Sequence, residues 1–594
     1  MRHGGIYEEE IAGKAYDARI LARFSRYVLP YRYRLLPVLL FLPVAAACRL
    51  AQPWIVKLAI DNHISTGDLA GLETIALAFT GILALEALLS FLEVYLLQSA
   101  GQRVMADLRD ELFSHIIDLP VAWFDHAPAG GVVTRLTSDI EVLGEMFASG
   151  IITIIGDILL LAGIISVMLW INPELSLVTF TVLPLLCYVT YTFRRRMRQS
   201  FREVRARLGR LNSFLAESIS GIRIIQVFNR QREEERLFRE LNRSYRDSNM
   251  PVILWDASLY AIVEALSSVA IALVIWYGGG EIVRGAITFG VLVAFIQYIE
   301  KFFAPIRDLS AKYSVMQGAM AALERIFALL DTPVHRESAP AVCSAPDSSL
   351  SGDGAPFIEF RNVTFSYTPG EPVLQDFSLI IRRGEQVALV GESGGGKTTV
   401  TRLLARLYEV DDGCIMMEGR DIRSIPLPEL RRRIGVVLQD PCLFAGSVGF
   451  NICLGSDRAQ ERMREAAAMV GADRFIDLLP GRYDEEVKEK GSNFSTGEKQ
   501  LLSFTRAVAF DPEILILDEA TASVDIASEQ MIQQGIRGMM QGRTSLVVAH
   551  RLSTIRDADR IVVIRNSRKI EEGTHGELLE LEGEYHRLHR LHFA

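Results

Sequence analysis

Residues suited to holding a phosphate group occur together at 391–398, where the sequence reads Gly-Glu-Ser-Gly-Gly-Gly-Lys-Thr. The run fits the pattern G-x-x-x-x-G-K-[ST], in which backbone N–H groups surround phosphate oxygens at the N-terminus of a helix. An apolar stretch at 386–390 predicts a buried strand before the run, and 399–408 predicts a helix after it. Lys397 could reach the β- and γ-phosphates, and the Thr398 hydroxyl could bind Mg²⁺. The sequence therefore predicts a site for a nucleoside triphosphate.

Two acidic residues follow another apolar, β-prone stretch at 514–517, and they are Asp518 and Glu519. In proteins with a phosphate loop of this kind, an Asp at the end of a strand lies across the metal from the loop hydroxyl. Asp518 fits that role, and Glu519 could polarise the attacking water as a general base. The alternative is a strand that ends in ordinary solvated acids. In combination with the loop, the pair favours hydrolysis of the triphosphate.

Composition limits what kind of protein this chain can be. Its 594 residues are too many for one core, and an apolar share of 49% with a positive mean hydropathy favours a membrane portion. A net charge of −9 gives no reason to expect nucleic acid as a partner. The six cysteines include no C-x-x-C pair, which argues against a zinc site and against a disulfide framework.

Apolar segments long enough to cross a bilayer precede the phosphate loop. There are six of them, at about 35–60, 72–97, 151–171, 175–193, 252–277 and 289–306. A basic amphipathic helix is predicted before them at 16–34. Eight arginines lie between 194 and 210, whereas 61–70 has no Lys or Arg, so both termini and the long loops are predicted to be cytoplasmic. The loops have a helical pattern, and we expect segments two to five to continue as helices well beyond the bilayer.

Further short motifs resemble those of the ABC exporter superfamily. They are Phe494-Ser495-Thr496-Gly497-Glu498 for the signature, Gln439 for the Q-loop, Asp525 for the D-loop, His550 for the switch histidine, Tyr367 for the aromatic that stacks on adenine, and Glu489-Lys490-Gly491 for the x-loop of exporters. With the six apolar segments, the chain resembles a half-transporter of the multidrug and lipid exporter branch. The motifs occur in the family's order and cover nearly the whole chain.

The resemblance implies an architecture. The expected fold is an α-helical six-span transmembrane domain followed by an α/β P-loop ATPase domain. The expected divisions are 1–34 for the cytoplasmic N-terminus and amphipathic helix, 35–331 for the transmembrane domain, 332–356 for a flexible linker and 357–594 for the nucleotide-binding domain. The expected location is a multi-pass protein of the bacterial inner membrane, with its ATPase domain in the cytoplasm.

The resemblance also implies site roles, with ATP and Mg²⁺ as cofactors. The nucleotide-binding residues would be Tyr367, Gly391, Glu392, Ser393, Gly394, Gly395, Gly396, Lys397, Thr398, Thr399 and Gln439. Mg²⁺ would be held by Thr398, Gln439 and Asp518, and the catalytic residues would be Glu519, His550 and Lys397. Ser495, Thr496, Gly497, Glu498 and the D-loop Asp525 would serve the ATP bound to a second subunit. When two such domains close on ATP, force would pass to the spans through the ends of the cytoplasmic loops, near 135–142 and 221–228. The loop end near 221–228 would reach the nucleotide domain of the partner.

The signature departs from the family pattern Leu-Ser-Gly-Gly-Gln at two important places. Thr496 adds a Cβ where the backbone should approach phosphate, and Glu498 places a negative charge near a nucleotide. The loop, Asp518, Glu519 and His550 are intact. This asymmetry resembles the catalytically competent member of a heterodimeric exporter, and a homodimer with a working variant signature stays open.

The cargo is not identified by the sequence. The charged residues inside the apolar segments are Arg49, Glu86, Glu93, Asp157, Asp256, Glu264 and Glu300, and the excess of acids is compatible with a cationic amphiphile. Acids that line a wet cavity or pair between helices are the alternative. The expected function is ATP-driven export of hydrophobic or amphipathic compounds, drugs or lipids, with a dedicated lipid flippase as the alternative. A soluble ABC ATPase of DNA repair or translation, and an importer, are disfavoured by the fused spans.

Overall fold

The computed structural model describes residues 18–127, 129–334, 356–392, 394–518, 526–549 and 552–592. The chain divides into two compact units. The first unit holds the described residues up to Ile117 together with Ala129–Thr332. The second holds the short segment between them and the described residues from 333 onward. Most of the predicted linker at 332–356 lies outside the described residues.

The first unit is helical. Its helices are α1 (Ala18–Val28), α2 (Arg32–Leu58), α3 (Leu69–Ile117), α5 (Ala129–Thr134), α6 (Ile140–Ser149), α7 (Ile151–Ile171), α8 (Pro173–Phe180), α9 (Leu183–Ser220), α10 (Ile222–Val227), α11 (Gln231–Val283) and α12 (Phe289–Leu330). The short helix α4 (Val121–His126) lies between α3 and α5 in the chain but belongs to the second unit. Single π-helical turns extend α2 over Ala59–Ile64 and join α5 to α6 over Arg135–Asp139.

Six helical stretches in the described part of the chain are long and apolar enough to cross a membrane, which confirms the predicted number of spans. Helices α3 and α11 contain 49 and 53 residues. At a rise of 1.5 Å per residue they are roughly 74 and 80 Å long, more than twice the ~30 Å apolar thickness of a bilayer. The expectation that the middle spans continue as helices beyond the bilayer is therefore confirmed for these two.

Three charged residues inside the apolar segments, Arg49, Glu86 and Asp157, are paired between helices, and Lys301 contacts an amide of another helix. The Arg49 Nε donates to the Glu86 Oε1 at 2.9 Å, and the Lys301 Nζ donates to the Gln52 Oε1 at 2.7 Å. The carboxylate of Asp157 forms an ion pair with Lys312. Lys301 lies inside the sixth apolar segment and offsets part of the excess of acids counted there, and for Glu86 and Asp157 pairing between helices is the alternative that is found.

The second unit combines strands and helices. Its strands are β1 (Ile358–Thr368), β2 (Glu371–Ile381), β3 (Gln386–Gly391), β4 (Asp412–Met417), β5 (Arg420–Asp421), β6 (Ile434–Val437), β7 (Gly446–Ser447), β8 (Glu486–Val487), β9 (Ile514–Asp518), β10 (Thr544–Val548), β11 (Arg560–Arg565) and β12 (Arg568–Gly573). The largest sheet has the order β12-β11-β3-β10-β9-β6, and its pairs are parallel except β11–β12. A second sheet has the order β2-β1-β4-β5.

Helices cover the larger sheet of the second unit. They are α13 (Lys397–Leu404), α14 (Leu427–Arg433), α15 (Val448–Cys453), α16 (Asp457–Val470), α17 (Asp473–Ile476), α18 (Thr496–Ala509), α19 (Ile526–Met540), α20 (Leu552–Arg556), α21 (His575–Glu580) and α22 (Glu584–His592). The central strands are apolar on both faces, as parallel strands between helices must be, and two buried clusters form the core around them. The predicted fold class, a helical membrane domain followed by an α/β domain, is confirmed.

The first loop end that was expected to transmit force, near 135–142, forms the π-turn and the start of α6 within the first unit. The segment that groups with the α/β unit lies earlier and contains α4. Its assignment depends on contacts with residues almost three hundred positions away, which no local pattern contains.

Candidate nucleotide site

The phosphate loop connects the carboxyl end of β3 to the N-terminus of α13, which is the context that its motif requires. Gly391 and Gly396 adopt φ angles of +154° and +99°. A Cβ on Gly391 would lie 2.1 Å from the carbonyl oxygen of Ile564, and one on Gly396 would lie 2.7 Å from that of Val373. Only glycine fits at both positions, and the resulting turn places the first N–H groups of α13 around the loop.

Lys397 is buried at the first position of α13, and its ammonium group turns back over the loop. Its Nζ donates to the carbonyl oxygens of Gly391 and Glu392, both at 2.8 Å. Burial lowers the pKa of Lys397, and the nearby Asp518 carboxylate opposes that shift. The neutral carbonyls only partly compensate a buried cation, so an anionic phosphate oxygen would be a better partner for it.

A hydroxyl and a carboxylate meet on the other side of the loop. Asp518 ends β9, which pairs in parallel with β10, and β10 pairs in parallel with β3. The carboxyl ends of these strands therefore share one edge of the sheet, and the Thr398 Oγ1 lies 3.4 Å from the Asp518 Oδ1. The described residues contain no group of three or more His, Cys, Asp or Glu side chains arranged for a metal. One hydroxyl and one carboxylate suit Mg²⁺, because it takes its remaining ligands from phosphate and water.

Tyr367, the predicted adenine-stacking residue, lies near the end of β1 beside α13. Its hydroxyl is 3.2 Å from the Thr399 Oγ1, and the Arg402 Nη1 donates to it at 3.4 Å. Its ring meets that of Tyr408 edge to face, with centroids 5.0 Å apart. The aromatic side chain is thus tied to the same helix that carries Lys397 and Thr398, and the structure brings both predicted parts of the nucleotide site together.

Gln439 follows β6 and lies near the same edge of the sheet. It is exposed, and with Gln500 of α18 and Asp518 it lines one small cleft. Gln500 is buried, and its Oε1 has no hydrogen-bond partner among the described residues. The predicted Q-loop residue and the predicted Mg²⁺ ligand therefore line the same cleft, and the metal role of Gln439 stays a prediction.

The signature residues form the start of α18. Ser495 is the N-cap, and its Oγ accepts from the backbone N–H of Glu498 at 3.3 Å. In return the Glu498 Oε2 accepts from the backbone N–H and the hydroxyl of Ser495, each at 2.8 Å. This is a capping box, which satisfies N–H groups at the start of a helix. Thr496 is exposed and Gly497 is buried. Within the described residues no hydrogen bond or ion pair joins 495–498 to the phosphate loop.

Several predicted site residues lie outside the described residues, namely Ser393, Glu519, Asp525 and His550. The backbone of Glu392 belongs to the loop as predicted, and its carboxylate pairs with the Arg587 Nη2 at 2.7 Å. The sequence analysis missed Tyr408 and Arg402, which support Tyr367. The aromatic pair Tyr367 and Tyr408 could have been noticed from residue type, but their proximity could not.

Comparison with known proteins shows the family of the chain. A family model described as the ABC transporter transmembrane region matches residues 35–306, and one described as ABC transporter matches residues 374–522. A probable multidrug resistance ABC transporter ATP-binding/permease protein of Bacillus subtilis is 36% identical, over 88% of this chain and 77% of the relative. An ATP-dependent lipid A-core flippase of Syntrophus aciditrophicus is 34% identical, over 97% of this chain and 94% of the relative.

A solved structure shares the whole architecture. It is that of a bacterial Atm1-family ABC exporter with ATP bound, with a TM-score of 0.76 and 28% identity, and the match covers 95% of this chain and 98% of that one. The phosphate loop, the strand-end Asp518 and the six spans are thus found in one chain that aligns with a solved ABC exporter over 95% of its length. The chain belongs to the ABC transporter family, as an exporter half-transporter in which a six-span membrane domain is fused to the ATPase domain that drives export.

Proposed function

We propose that this chain is the ATP-cleaving subunit of a heterodimeric exporter for amphipathic compounds, drugs or lipids. In this proposal its phosphate loop, Asp518 and Glu519 form the hydrolysing site with the signature of a second, different subunit. Its own signature completes a weaker site on the partner's phosphate loop. ATP favours only the closed pair, so its binding shifts the spans toward the outward-facing state and hydrolysis resets them.

The observation that carries this proposal is the capping box at the signature. A signature serine that binds phosphate must donate its hydroxyl hydrogen to a phosphate oxygen. Here the Ser495 hydroxyl donates instead to the Glu498 carboxylate. A carboxylate in place of an amide both competes for that hydrogen and repels the phosphate. The signature is therefore weakened by the same contacts that stabilise α18.

Exposed apolar residues at one loop end of the first unit support the proposal that a partner subunit binds there. Helix α10 buries none of its residues, and Ile224, Val227 and Phe228 at this loop end are 64%, 75% and 71% exposed. A cluster of large apolar side chains at a loop end is costly to leave in water. We assign this loop end to the nucleotide-binding domain of the partner, as the family resemblance implies.

The metal and the catalytic groups are also proposed from the chemistry of the site. Thr398 and Asp518 would hold Mg²⁺, which would neutralise charge on the transferred phosphate, with Gln439 beside them. Glu519 would accept a proton from the attacking water, and His550 would orient the γ-phosphate. Lys397 would bind the β- and γ-phosphates through its ammonium group and would form no covalent bond with them.

The cargo and the location follow from the relatives and the charge pattern. One relative is named as a multidrug resistance transporter and another as a lipid A-core flippase, so both drugs and lipids are within the proposed range. A dedicated lipid flippase is the alternative. Arginines concentrated between 194 and 210 support cytoplasmic loops, and we propose a bacterial inner membrane with the ATPase domain on its cytoplasmic side.

Co-purification of the full chain from its native membrane tests the proposal. The complex should contain a second half-transporter and should hydrolyse ATP with Mg²⁺ in lipid vesicles, and Glu519→Gln in this chain should abolish most of that turnover. The chain expressed and reconstituted alone should be nearly inactive. If it alone reaches the drug- or lipid-stimulated rate of the complex, the heterodimer is excluded.

A further inference from the structure

Helix α4 carries a carboxylate, that of Asp125, which contacts two other residues of the α/β unit. The Asp125 carboxylate accepts a hydrogen bond from the Tyr408 hydroxyl, and the Arg402 Nη1 lies 3.9 Å from the Asp125 Oδ2. Burial, followed by the hydrogen bond to Asp125, raises the pKa of Tyr408, so its hydroxyl remains a donor at neutral pH. Asp125 therefore holds two groups that both belong to the aromatic end of the nucleotide site.

The same two groups contact Tyr367. The Arg402 Nη1 donates to the Tyr367 hydroxyl at 3.4 Å, and the Tyr408 ring packs against the Tyr367 ring. Phe365 closes the cluster, with its ring centroid 4.9 Å from that of Tyr367 and 5.6 Å from that of Tyr408. Edge-to-face packing of this kind fixes the ring planes, since each ring edge must point at a neighbouring face. The plane on which a purine would stack is thus set by residues that Asp125 holds.

We propose that Asp125 is a positioning residue for adenine, which acts through Tyr408 and Arg402 on the orientation of Tyr367. Helix α4 is connected directly to α3 and α5, so the carboxylate lies on the chain segment between the second and third spans. Adenine binding and the docked position of α4 are then linked. Because linkage is reciprocal, a change that undocks α4 weakens adenine binding, and loss of adenine loosens α4.

The alternative is that Asp125 makes an ordinary surface contact. It is 45% exposed, and exposed ion pairs such as that with Arg402 contribute little on average. Such a contact would leave nucleotide affinity unchanged, or would change the affinity for all triphosphates alike through general loosening of the unit. The two cases differ in whether the effect depends on the adenine ring, and this dependence can be measured.

The test uses the full-length chain in lipid nanodiscs and compares the affinities of two ligands that bind the same phosphate loop. ATP and inorganic tripolyphosphate, which has no base, are titrated by calorimetry in the presence of Mg²⁺. Asp125→Ala should raise the Kd for ATP about fivefold, the effect of losing one net hydrogen bond, and should leave the Kd for tripolyphosphate unchanged. Asp118→Ala is the matched control, because Asp118 is exposed on the same segment and should change neither value.

Two further variants separate positioning from simple docking. Tyr408→Phe keeps the ring and removes only the hydroxyl, and it should reproduce the loss seen for ATP. In a Tyr367→Ala background, Asp125→Ala should have no further effect on the Kd for ATP. Equal losses for ATP and tripolyphosphate, an unchanged Kd for ATP, or a full fivefold effect without Tyr367 would each overturn the proposal.

Hydrogen exchange gives the reciprocal measurement. Amides of 118–127 should exchange more slowly after ATP is added but not after tripolyphosphate is added, and this difference should be lost in Tyr367→Ala. The same protection by both ligands would contradict a link through adenine. Each experiment uses the phosphate loop of this chain only, so its result does not depend on whether the partner subunit is a different protein.

Discussion

Replacing Glu498 by Gln separates the two roles that the structure gives to the signature. The carboxylate caps α18 by accepting from the backbone N–H of Ser495, and it also accepts from the Ser495 hydroxyl. The amide oxygen of Gln can continue to accept from the backbone N–H, as it does in other capping boxes. It competes less strongly for the hydroxyl hydrogen, since hydrogen bonds to charged groups are about twice as strong as neutral ones.

Glu498→Gln should lower the stability of the protein but strengthen ATP binding at the site on the partner. Loss of a negative charge in the first turn of a helix should lower the free energy of unfolding by about 0.3–1 kcal/mol. The released hydroxyl can donate to a charged phosphate oxygen, an interaction of about 1.5–3 kcal/mol. Because Thr496 still separates the backbone from the phosphate, we take the lower end. This corresponds to roughly a tenfold tighter Kd for ATP at the site on the partner.

The assay isolates that site by adding Lys397→Ala, which removes the ammonium group from the phosphate loop of this chain. ATP binding to the complex in nanodiscs then reports the other loop, with and without Glu498→Gln. The matched control is Glu577→Gln, because Thr574 and Glu577 form a second capping box at the start of α21. It should lower stability similarly and leave ATP affinity unchanged.

Two results would refute this reasoning about the signature. An unchanged Kd in Glu498→Gln would mean that the carboxylate does not interfere with the phosphate. Complete loss of ATP binding in the Lys397→Ala complex would mean that both phosphate loops come from this chain, as in a homodimer. A gain in affinity with the control variant Glu577→Gln would show that the effect arises from general changes in stability.

Three further outcomes follow from the second unit. Gly396→Ala should lower the free energy of unfolding by at least about 1–2 kcal/mol more than Gly394→Ala does, as measured by chemical denaturation. Both glycines have positive φ, but only a Cβ on Gly396 would meet a backbone oxygen, at 2.7 Å. Asp518→Asn should remove the enhancement of ATP affinity by Mg²⁺ and retain Mg²⁺-free binding, as measured by titration with and without a chelator. The hydrogen bond from Arg462 lowers the pKa of Asp511 below its ordinary value of 3.8, so its stabilisation is present above that pH and is lost as the pH falls through the lowered pKa. The melting temperatures of wild type and Asp511→Asn should therefore converge in strong acid.

The sequence predicted the elements whose patterns are local. Strand β3, the phosphate loop and α13 follow one another with an apolar run, glycines and a helical pattern, as predicted, but α13 covers Lys397–Leu404 instead of 399–408. The spans were equally predictable from length and apolarity. The placement of α4 was not, because its six residues carry no strong pattern and its assignment rests on contacts with Tyr408 and Arg402.

The candidate site divides in the same way between local and tertiary information. The sequence motifs predicted that Thr398 and Asp518 meet, and they do so because parallel strands place their carboxyl ends at one edge. The order β3-β10-β9 places one strand between them, and only the fold supplies that order. The cleft shared by Gln439 and Gln500 likewise required the positions of β6 and α18 together.

Both incorrect or incomplete interpretations of charge have one physical origin. Glu498 was considered only as a charge beside a nucleotide, although Ser-x-x-Glu is itself a capping pattern, and its carboxylate is already engaged by Ser495. For Glu86, a cationic cargo and pairing between helices were both left open, and Arg49 donates to it. The effect of a carboxylate on a ligand depends on which donors its oxygens have already accepted, and those donors come from the fold. A cationic cargo therefore cannot be argued from the number of acids in the spans, because Glu86 and Asp157 are already paired with Arg49 and Lys312.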